Sequence, residues 1–357
     1  MKSVRRRLRG DGPVAFELSG GVDSSAVVGM AKFLLDSGSI RTDGLDVFSL
    51  TVSEPESDEK SFQDDVVWML QLPFDRLAAG PTDPKVCAAQ AARYLDVPDF
   101  PNGQMMYPMM DLARRKGCRV YLTGEGGDHW LTGSNLYCAD LMRQLRFVKL
   151  VRRLRFDRRF IGALGPINRR PTIWQVFARG VLRPLAAQVL PAGVRKRLRP
   201  MVGANSIPPF LDSEFAKRVC LAERLRSHHE GLRCSSFAQQ TMYDVFNSSW
   251  ETHTYELCER SASWHGFDAR YSFHDRRLIE FAFGLPEEQR RRDDLTKFVL
   301  RNAIAGLVPD SVWLRRTKAE FSPQFLKAFE SIDASMMLEN LSINRRGWLH
   351  LQKVIKL

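Results

Sequence analysis

Ser19-Gly20-Gly21-Val22-Asp23-Ser24-Ser25 is the stretch of this 357-residue chain whose residue types point most directly to chemistry. Three hydroxyls, two glycines and a carboxylate stand within seven residues. An apolar run, Val14-Ala15-Phe16-Glu17-Leu18, precedes them, and Val27, Met30, Ala31, Leu34 and Leu35 follow at helical spacing. A buried strand turning through glycines into a helix aims backbone N–H groups and the helix N-terminus at an anion. Gly20 and Gly21 let the backbone approach that anion without an intervening Cβ. Ser19, Ser24 and Ser25 can donate to phosphate oxygens, and Asp23 can hold a metal that shares the charge. The lysine of a G-x-x-x-x-G-K-[ST] loop is absent, so this is a phosphate cradle of another kind.

A second loop, Gly124-Glu125-Gly126-Gly127-Asp128, follows the apolar run Arg119-Val120-Tyr121-Leu122-Thr123. A strand entering such a sequence suits another phosphate-facing turn, and Asp128 with Asp23 would give magnesium the one or two carboxylates it prefers. A third passage, Arg315-Arg316-Thr317-Lys318-Ala319-Glu320-Phe321-Ser322, follows Trp313; taken alone, a basic turn is ordinarily a solvated face. Histidines 228, 229, 253, 265, 274 and 350 show no metal-ligand spacing. Trp250, Tyr255, Trp264 and Phe267 are candidates for a substrate pocket, with core packing the simpler expectation.

Positioning these loops requires a sheet. After the first helix stops at Ser37-Gly38, Asp46 to Val52 reads as a strand. Ser57 is then expected to cap a helix with Asp58 and Glu59 in its first turn, running to about Leu70. A short strand at Phe74–Leu77, a helix from Pro84 to Leu95, and a helix opened by Pro108 and closed by Gly117 lead to the strand ending at Thr123. Such alternation predicts an α/β fold, a parallel sheet wound by right-handed crossovers. Ligands of such sheets lie beyond the strands' carboxyl ends, where both glycine loops fall. Strand signals fade from about residue 140. Residues 141–200 predict short helices broken at Gly165-Pro166, Arg170-Pro171, Pro184 and Pro191; residues 211–357 read as mainly helical with breaks at Gly266, Gly284-Leu285-Pro286 and Pro309. The expected division is a nucleotide-binding core over 1–140, a basic helical insertion over 141–210 and a helical part over 211–357.

Composition narrows the class. Apolar residues at 44% and charged residues at 26% are those of a globular protein, and no apolar run nears the ~20 residues of a membrane span. Met1–Arg9 is basic but no apolar segment follows, unlike a signal peptide. The six cysteines, at 87, 118, 138, 220, 234 and 258, form no C-x-x-C pair, which points to a reduced, cytoplasmic protein with buried thiols. The net charge of +12 is localised: residues 143–199 hold sixteen Lys or Arg and one acid, Asp157, leaving the remainder at −3. Nucleic acid is therefore not the expected partner; the segment suits an acidic peptide or a partner protein, or is simply a solvated helical surface.

The first loop resembles the PP-loop, Ser-Gly-Gly-x-Asp-Ser, of ATP pyrophosphatases, which cleave ATP between its α- and β-phosphates. The order of the three motifs, ending in Arg-x-x-Lys-x-x-Phe-Ser, resembles the synthetase domain of the asparagine synthetase family. Glu259-Arg260 with Gly266-Phe267-Asp268-Ala269-Arg270-Tyr271-Ser272-Phe273-His274-Asp275 is similar to that family's Glu-x-Arg-x-Pro-Phe-x-Asp segment. Gly284-Leu285-Pro286, Lys297, Arg301 and Leu307-Val308-Pro309 extend the likeness, which covers most of 13–325 and is weakest across 140–235. It implies an adenine nucleotide α-hydrolase-like sheet followed by a mainly helical C-terminal part. Ser19, Gly20, Gly21, Asp23, Ser24 and Ser25, with Gly124, Gly126 and Gly127, would hold ATP, and Asp23 and Asp128 would hold Mg2+. A substrate carboxylate would attack the α-phosphorus to give an acyl-adenylate and pyrophosphate, and an amine would capture the acyl group. Glu125 falls where the family places a residue assisting deprotonation of that amine, and Lys318 where it places a lysine stabilising charge on the reacting centre. A fixed cation is worth most in a site that excludes water, and an acyl-adenylate needs that exclusion to survive.

Three departures bear on the substrate. Family members that use glutamine carry an N-terminal glutaminase domain opening with cysteine, whereas here Lys2 stands at that end and the loop begins at Ser19, so glutamine hydrolysis by that route is not expected of this chain. His129 follows Asp128 where the family usually has glutamate; a structural role is the simpler expectation for it, a general base the sharper one. Asp268, Ser272 and His274 replace the usual Glu, Pro and apolar neighbour. The leading expectation is thus an AMP-forming amide ligase, either making asparagine or resembling the β-lactam synthetases and lasso peptide cyclases. The departures favour the latter, with a separate glutaminase or peptide-binding protein as a potential partner. Against it stand a PP-loop enzyme that modifies RNA and an inactive binding module.

Overall fold

The computed structural model describes residues 1–10, 12–52, 54–99, 102–164, 171–190, 207–227, 232–292, 294–319, 330 and 342–354. Its centre is a five-stranded sheet in the order β3-β2-β1-β4-β5, formed by β1 (Val14–Glu17), β2 (Leu45–Thr51), β3 (Phe74–Ala78), β4 (Val120–Thr123) and β5 (Asp268–Tyr271). Every pairing is parallel; β1 aligns Val14 with Leu45 on one side and with Val120 on the other. Parallel strands covered on both faces must be apolar on both, which is why β1 reads as a run rather than an alternation. Val14, Phe16 and Leu18 pack with Ala26, Val27 and Leu34 of the helix Val22–Asp36. Ala15 belongs to a second core with Phe48, Met109, Tyr121 and Phe267. The chain steps from β1 to β2 and β3 in one direction, and β4 and β5 lie in the other. The crevice above the β1–β4 pair is therefore the switch point at which such sheets bind ligands.

The fifth strand was not expected. Asp268-Ala269-Arg270-Tyr271 is too short to announce itself among helices, but backbone pairing with β4 along Val120↔Asp268 to Thr123↔Tyr271 places it at the sheet edge. The expected Ser57 cap is also corrected. Pro55–Ser57 forms a 3-10 turn and the helix runs Lys60–Leu70, with the Asp58 carboxylate accepting from the Lys60 N–H at 2.9 Å. Proline at the first turn position fixes φ and favours that tight turn over an earlier α-helical start.

The basic segment forms longer helices than its prolines suggest. Phe147–Leu164 is one 18-residue helix. Ile173–Phe177, a π turn at Ala178–Leu182 and Arg183–Val189 follow one another with no break at Pro184. Proline crowds the carbonyl four residues back, and a π turn widens the backbone at that point. The expected breaks at Gly165, Pro166, Arg170 and Pro191 lie outside the described residues, as do His228, His229, Glu320, Phe321 and Ser322. Leu150, Leu154, Val176 and Val181 form a third core with Cys138 and Leu141. No helix among the described residues is long and apolar enough to cross a membrane.

A buried ion cluster ties this core to the C-terminal part. Asp157, 0% exposed, lies 3.1 Å from Arg153 Nε and 2.8 Å from Arg291 Nη2, and Arg153 also reaches Glu287 at 3.5 Å. Removing the carboxylate would take a charge partner from each of two buried guanidiniums, leaving Arg153 with Glu287. Asp157→Ala is expected to cost about 3–5 kcal/mol, read as a lower urea midpoint at unchanged slope.

Candidate active site

The first loop leaves β1 at Leu18 and enters the helix Val22–Asp36 through Gly21. Gly20 adopts φ +81°, the left-handed region open to glycine, and a Cβ there would press on Phe62 Cβ at 3.0 Å. No side chain caps the helix start, so its first N–H groups remain available to a ligand. The three serines are held differently within the loop. Ser24 Oγ accepts from the Ser19 N–H at 3.2 Å, lies 3.0 Å from Ser19 Oγ, and donates to the Gly21 carbonyl at 3.3 Å. These two hydroxyls shape the loop. Ser25 is 0% exposed and its Oγ has no partner among the described residues, so it belongs to the loop's interior rather than to its open surface.

The second loop packs directly against the first. A Cβ on Gly124 would lie 2.5 Å from Ser24 N, and one on Gly127 would collide with the Asp23 carboxylate. Only glycine permits that approach at positions 124 and 127, while Gly126 has φ +93° and would press a Cβ on His274. Asp128 sits in the first turn of the short helix Gly127–Leu131.

Between the loops lies a residue quoted in the sequence likeness but given no role, Lys297. Its Nζ donates to Asp23 Oδ2 and, at 2.7 Å, pairs with Asp128 Oδ1. The residue has φ +57°, a left-handed conformation costing a lysine roughly 1–3 kcal/mol, of the kind that concentrates at functional sites. Lys318 Nζ donates to Asp128 Oδ2 at 2.8 Å from the opposite side. Burial alone would raise the Asp128 carboxyl, but Lys297 and Lys318 outweigh it and hold Asp128 well below the usual carboxylate range. Burial likewise opposes charge on Lys297, and the two carboxylates overcome it, lifting its pKa above the ordinary value. Burial raises Asp23, with Lys297 pulling against it. Arg315, from the same passage as Lys318, donates to the Gly20 carbonyl at 3.0 Å and pairs with Glu59 at 2.6 Å. All three sequence motifs thus meet at one place.

A second group of side chains adjoins the loops on the β4–β5 side. His129 Nε2 lies 3.3 Å from Glu251 Oε1 and 3.8 Å from Glu125 Oε1. His274 is held neutral, its pKa pushed down to about 4 by burial first and then by His129 and Arg7, and it shares a hydrogen bond with the Tyr255 hydroxyl. Glu17, at the end of β1, accepts from the Tyr121 hydroxyl at 3.4 Å. Loss of water, then the Glu125 charge, moves Glu17 from 4.5 to about 7. The folded state therefore favours the protonated carboxyl. Its stabilising contribution is complete below 4.5 and declines as pH rises through about 7, so Glu17→Gln should flatten that decline in melting temperature.

Of the four aromatics weighed for a pocket, Tyr255 lies here, Phe267 is core, Trp264 faces Tyr94 and Trp250 is exposed. His253 stands with Asp96 and Glu256 in a grouping its sequence spacing did not suggest, but Arg260 pairs with Asp96 at 2.8 Å and lies 3.6 Å from Glu256, so a cation already occupies those acids. All six cysteines are free; Cys118 and Cys138 are buried as expected, whereas Cys220 is exposed.

The family model described as Asparagine synthase matches residues 1–354. The chain belongs to the asparagine synthase family. Within that family it is 22% identical over 336 residues to asparagine synthetase [glutamine-hydrolyzing] 1 of Bacillus subtilis, covering 89% of this chain and 48% of that protein. It is 21% identical over 372 residues to a protein named amidase chry2 from Gibberella zeae, covering 91% of this chain and 51% of that protein. The chain thus spans about half the length of the curated relatives it matches. Among solved structures, U34-tRNA thiolase NcsA from Methanococcus maripaludis aligns over 83% of this chain and 82% of its own at 14% identity, with a TM-score of 0.25, too loose to inform the reading.

The acid pair suits a hard cation. Asp23 Oδ1 is buried with no partner among the described residues, and Asp23 and Asp128 face one another across Lys297. Sequence spacing could not reveal Lys297 or Glu251 as neighbours of the loops, because each comes from a distant element. The one available signal was the place of Lys297 in the family likeness.

Proposed function

We propose that the chain is an AMP-forming amide ligase: it adenylates a substrate carboxylate, releasing pyrophosphate, and delivers the acyl group to an amine. One observation carries this reading. Asp23, Asp128, Lys297 and Lys318 converge on two glycine-lined loops at the carboxyl ends of neighbouring strands β1 and β4. Such a cluster of fixed charge suits a reaction that builds negative charge on phosphorus and then on a tetrahedral carbon. The open N-terminus of the helix Val22–Asp36 and the loop N–H groups would bind the phosphates. Mg2+ held by Asp23 and Asp128 would share their charge. Lys318, exposed at the loops' outer side, is free to turn from Asp128 toward the reacting centre, while buried Lys297 keeps the two aspartates apart and in place.

Glu125 stands at the junction of the loops and the group formed by His129, Glu251 and Tyr255, where it can take a proton from an incoming amine. That acidic, aromatic surround favours an organic amine as acceptor, in the manner of a peptide or β-lactam cyclase, over free ammonia. The six free thiols fit a reducing, cytoplasmic setting. The test is pyrophosphate exchange into ATP with a panel of carboxylates, including aspartate and acidic peptides. At least one carboxylate should drive exchange; exchange driven by none, with ATP bound, would exclude adenylation.

A further inference from the structure

The helix Phe147–Leu164 turns Leu150, Leu154 and Asp157 inward. Val148, Arg152, Arg155 and Arg159, spaced four, three and four residues apart, form the opposite, exposed stripe. Beside it, the helical run beginning at Ile173 exposes Trp174, Arg179, Leu182 and Arg183. Val148 is 86% and Trp174 73% exposed, unusually high for side chains that size in an ordered element. Where the two helices meet there is a cleft of about 590 Å³ lined by Arg155, Arg158, Arg159 and Ile173. The only acid between residues 143 and 199 is Asp157, which is buried against Arg153 and Arg291. Among the described residues no carboxylate pairs with the cleft's guanidiniums, those of Arg155, Arg158 and Arg159.

We propose that this face docks an acidic polypeptide segment carrying aliphatic side chains, its carboxylates entering the arginine cleft and its apolar residues covering Val148, Trp174 and Leu182. Guanidiniums grip carboxylates bidentately, and an aromatic flanked by arginines is the usual anchor of a protein interface. The cleft favours a peptide over a bilayer, because a flat anionic surface leaves a concavity of that size unfilled. The exposed aliphatic residues favour a peptide over nucleic acid, which binds basic faces through phosphates and stacking.

The proposal stands apart from the ligase chemistry. It is tested by fluorescence anisotropy of the full chain with a labelled peptide of alternating glutamate and leucine. The peptide should bind and weaken as salt rises. Arg155→Glu with Arg159→Glu should weaken it by about 100-fold, and Trp174→Ala, which leaves the charge intact, by about tenfold. All three positions are exposed, and unchanged melting temperatures would confirm folding. Absence of binding, equal binding of a lysine–leucine peptide, or indifference to the paired reversal would overturn the proposal. So would binding of phosphatidylserine vesicles or single-stranded RNA in place of the peptide. Pyrophosphate exchange measured on the same variants should be unchanged, so failure of the docking face and failure of the ligase reading appear separately.

Discussion

Asp23→Ala is expected to lower pyrophosphate exchange by about 10³-fold or more, to the limit of detection. The carboxylate serves both loops at once: Oδ2 accepts from Lys297, and Oδ1 is the buried oxygen left for a cation. Its loss removes a metal ligand and leaves Lys297 paired with Asp128 alone. Fixed charges aimed at a reacting phosphoryl group contribute on this scale because they need no reorganisation during reaction. Asp23→Asn separates charge from shape. It retains the volume beside Gly127 and should lose nearly as much exchange, whereas a purely steric role would leave it near the parent rate.

Lys318→Ala is expected to lower amide formation by about 10²–10³-fold, the scale of one preorganised charge, while the protein keeps its stability. Two facts separate it from Lys297. Its side chain is 69% exposed where that of Lys297 is 9% exposed, and it contacts Asp128 without touching Asp23. Lys318→Arg should recover little, because a planar guanidinium does not reproduce a point charge on a flexible stem. An alanine variant forming product at the parent rate would remove Lys318 from the chemistry. A variant with reduced ATP affinity and unchanged turnover would assign it to nucleotide binding alone.

The parts of this site that are contiguous in sequence were legible there. Both glycine loops are local strand–turn–helix devices, and their glycines occur where the structure shows one loop pressed on the other, at Gly124 against Ser24 and Gly127 against Asp23. The four N-terminal strands alternate with helices and could be placed to within a residue or two. What escaped depends on long-range pairing. β5 owes its existence to β4, more than a hundred residues earlier, and four residues with two charges give no periodic signal of their own. Lys297 lies outside both loops, and only folding sets it between two aspartates. Ser25 reads as a phosphate donor from spacing alone, which does not distinguish the exposed side of a helix's first turn from its buried side; in the structure its side chain is 0% exposed. Pro184 misled for a different reason, since the π turn before it absorbs the clash that ordinarily ends a helix.

The central claim, that this chain activates a carboxylate as its adenylate, is tested most directly by isotope transfer. A carboxylate that drives exchange would be supplied with heavy oxygen in both positions, together with ATP, magnesium and an amine, and the products followed by phosphorus NMR. The account predicts AMP and pyrophosphate in equal amounts, with one heavy oxygen on the AMP phosphorus. ADP and orthophosphate, or AMP carrying only solvent oxygen, would contradict it.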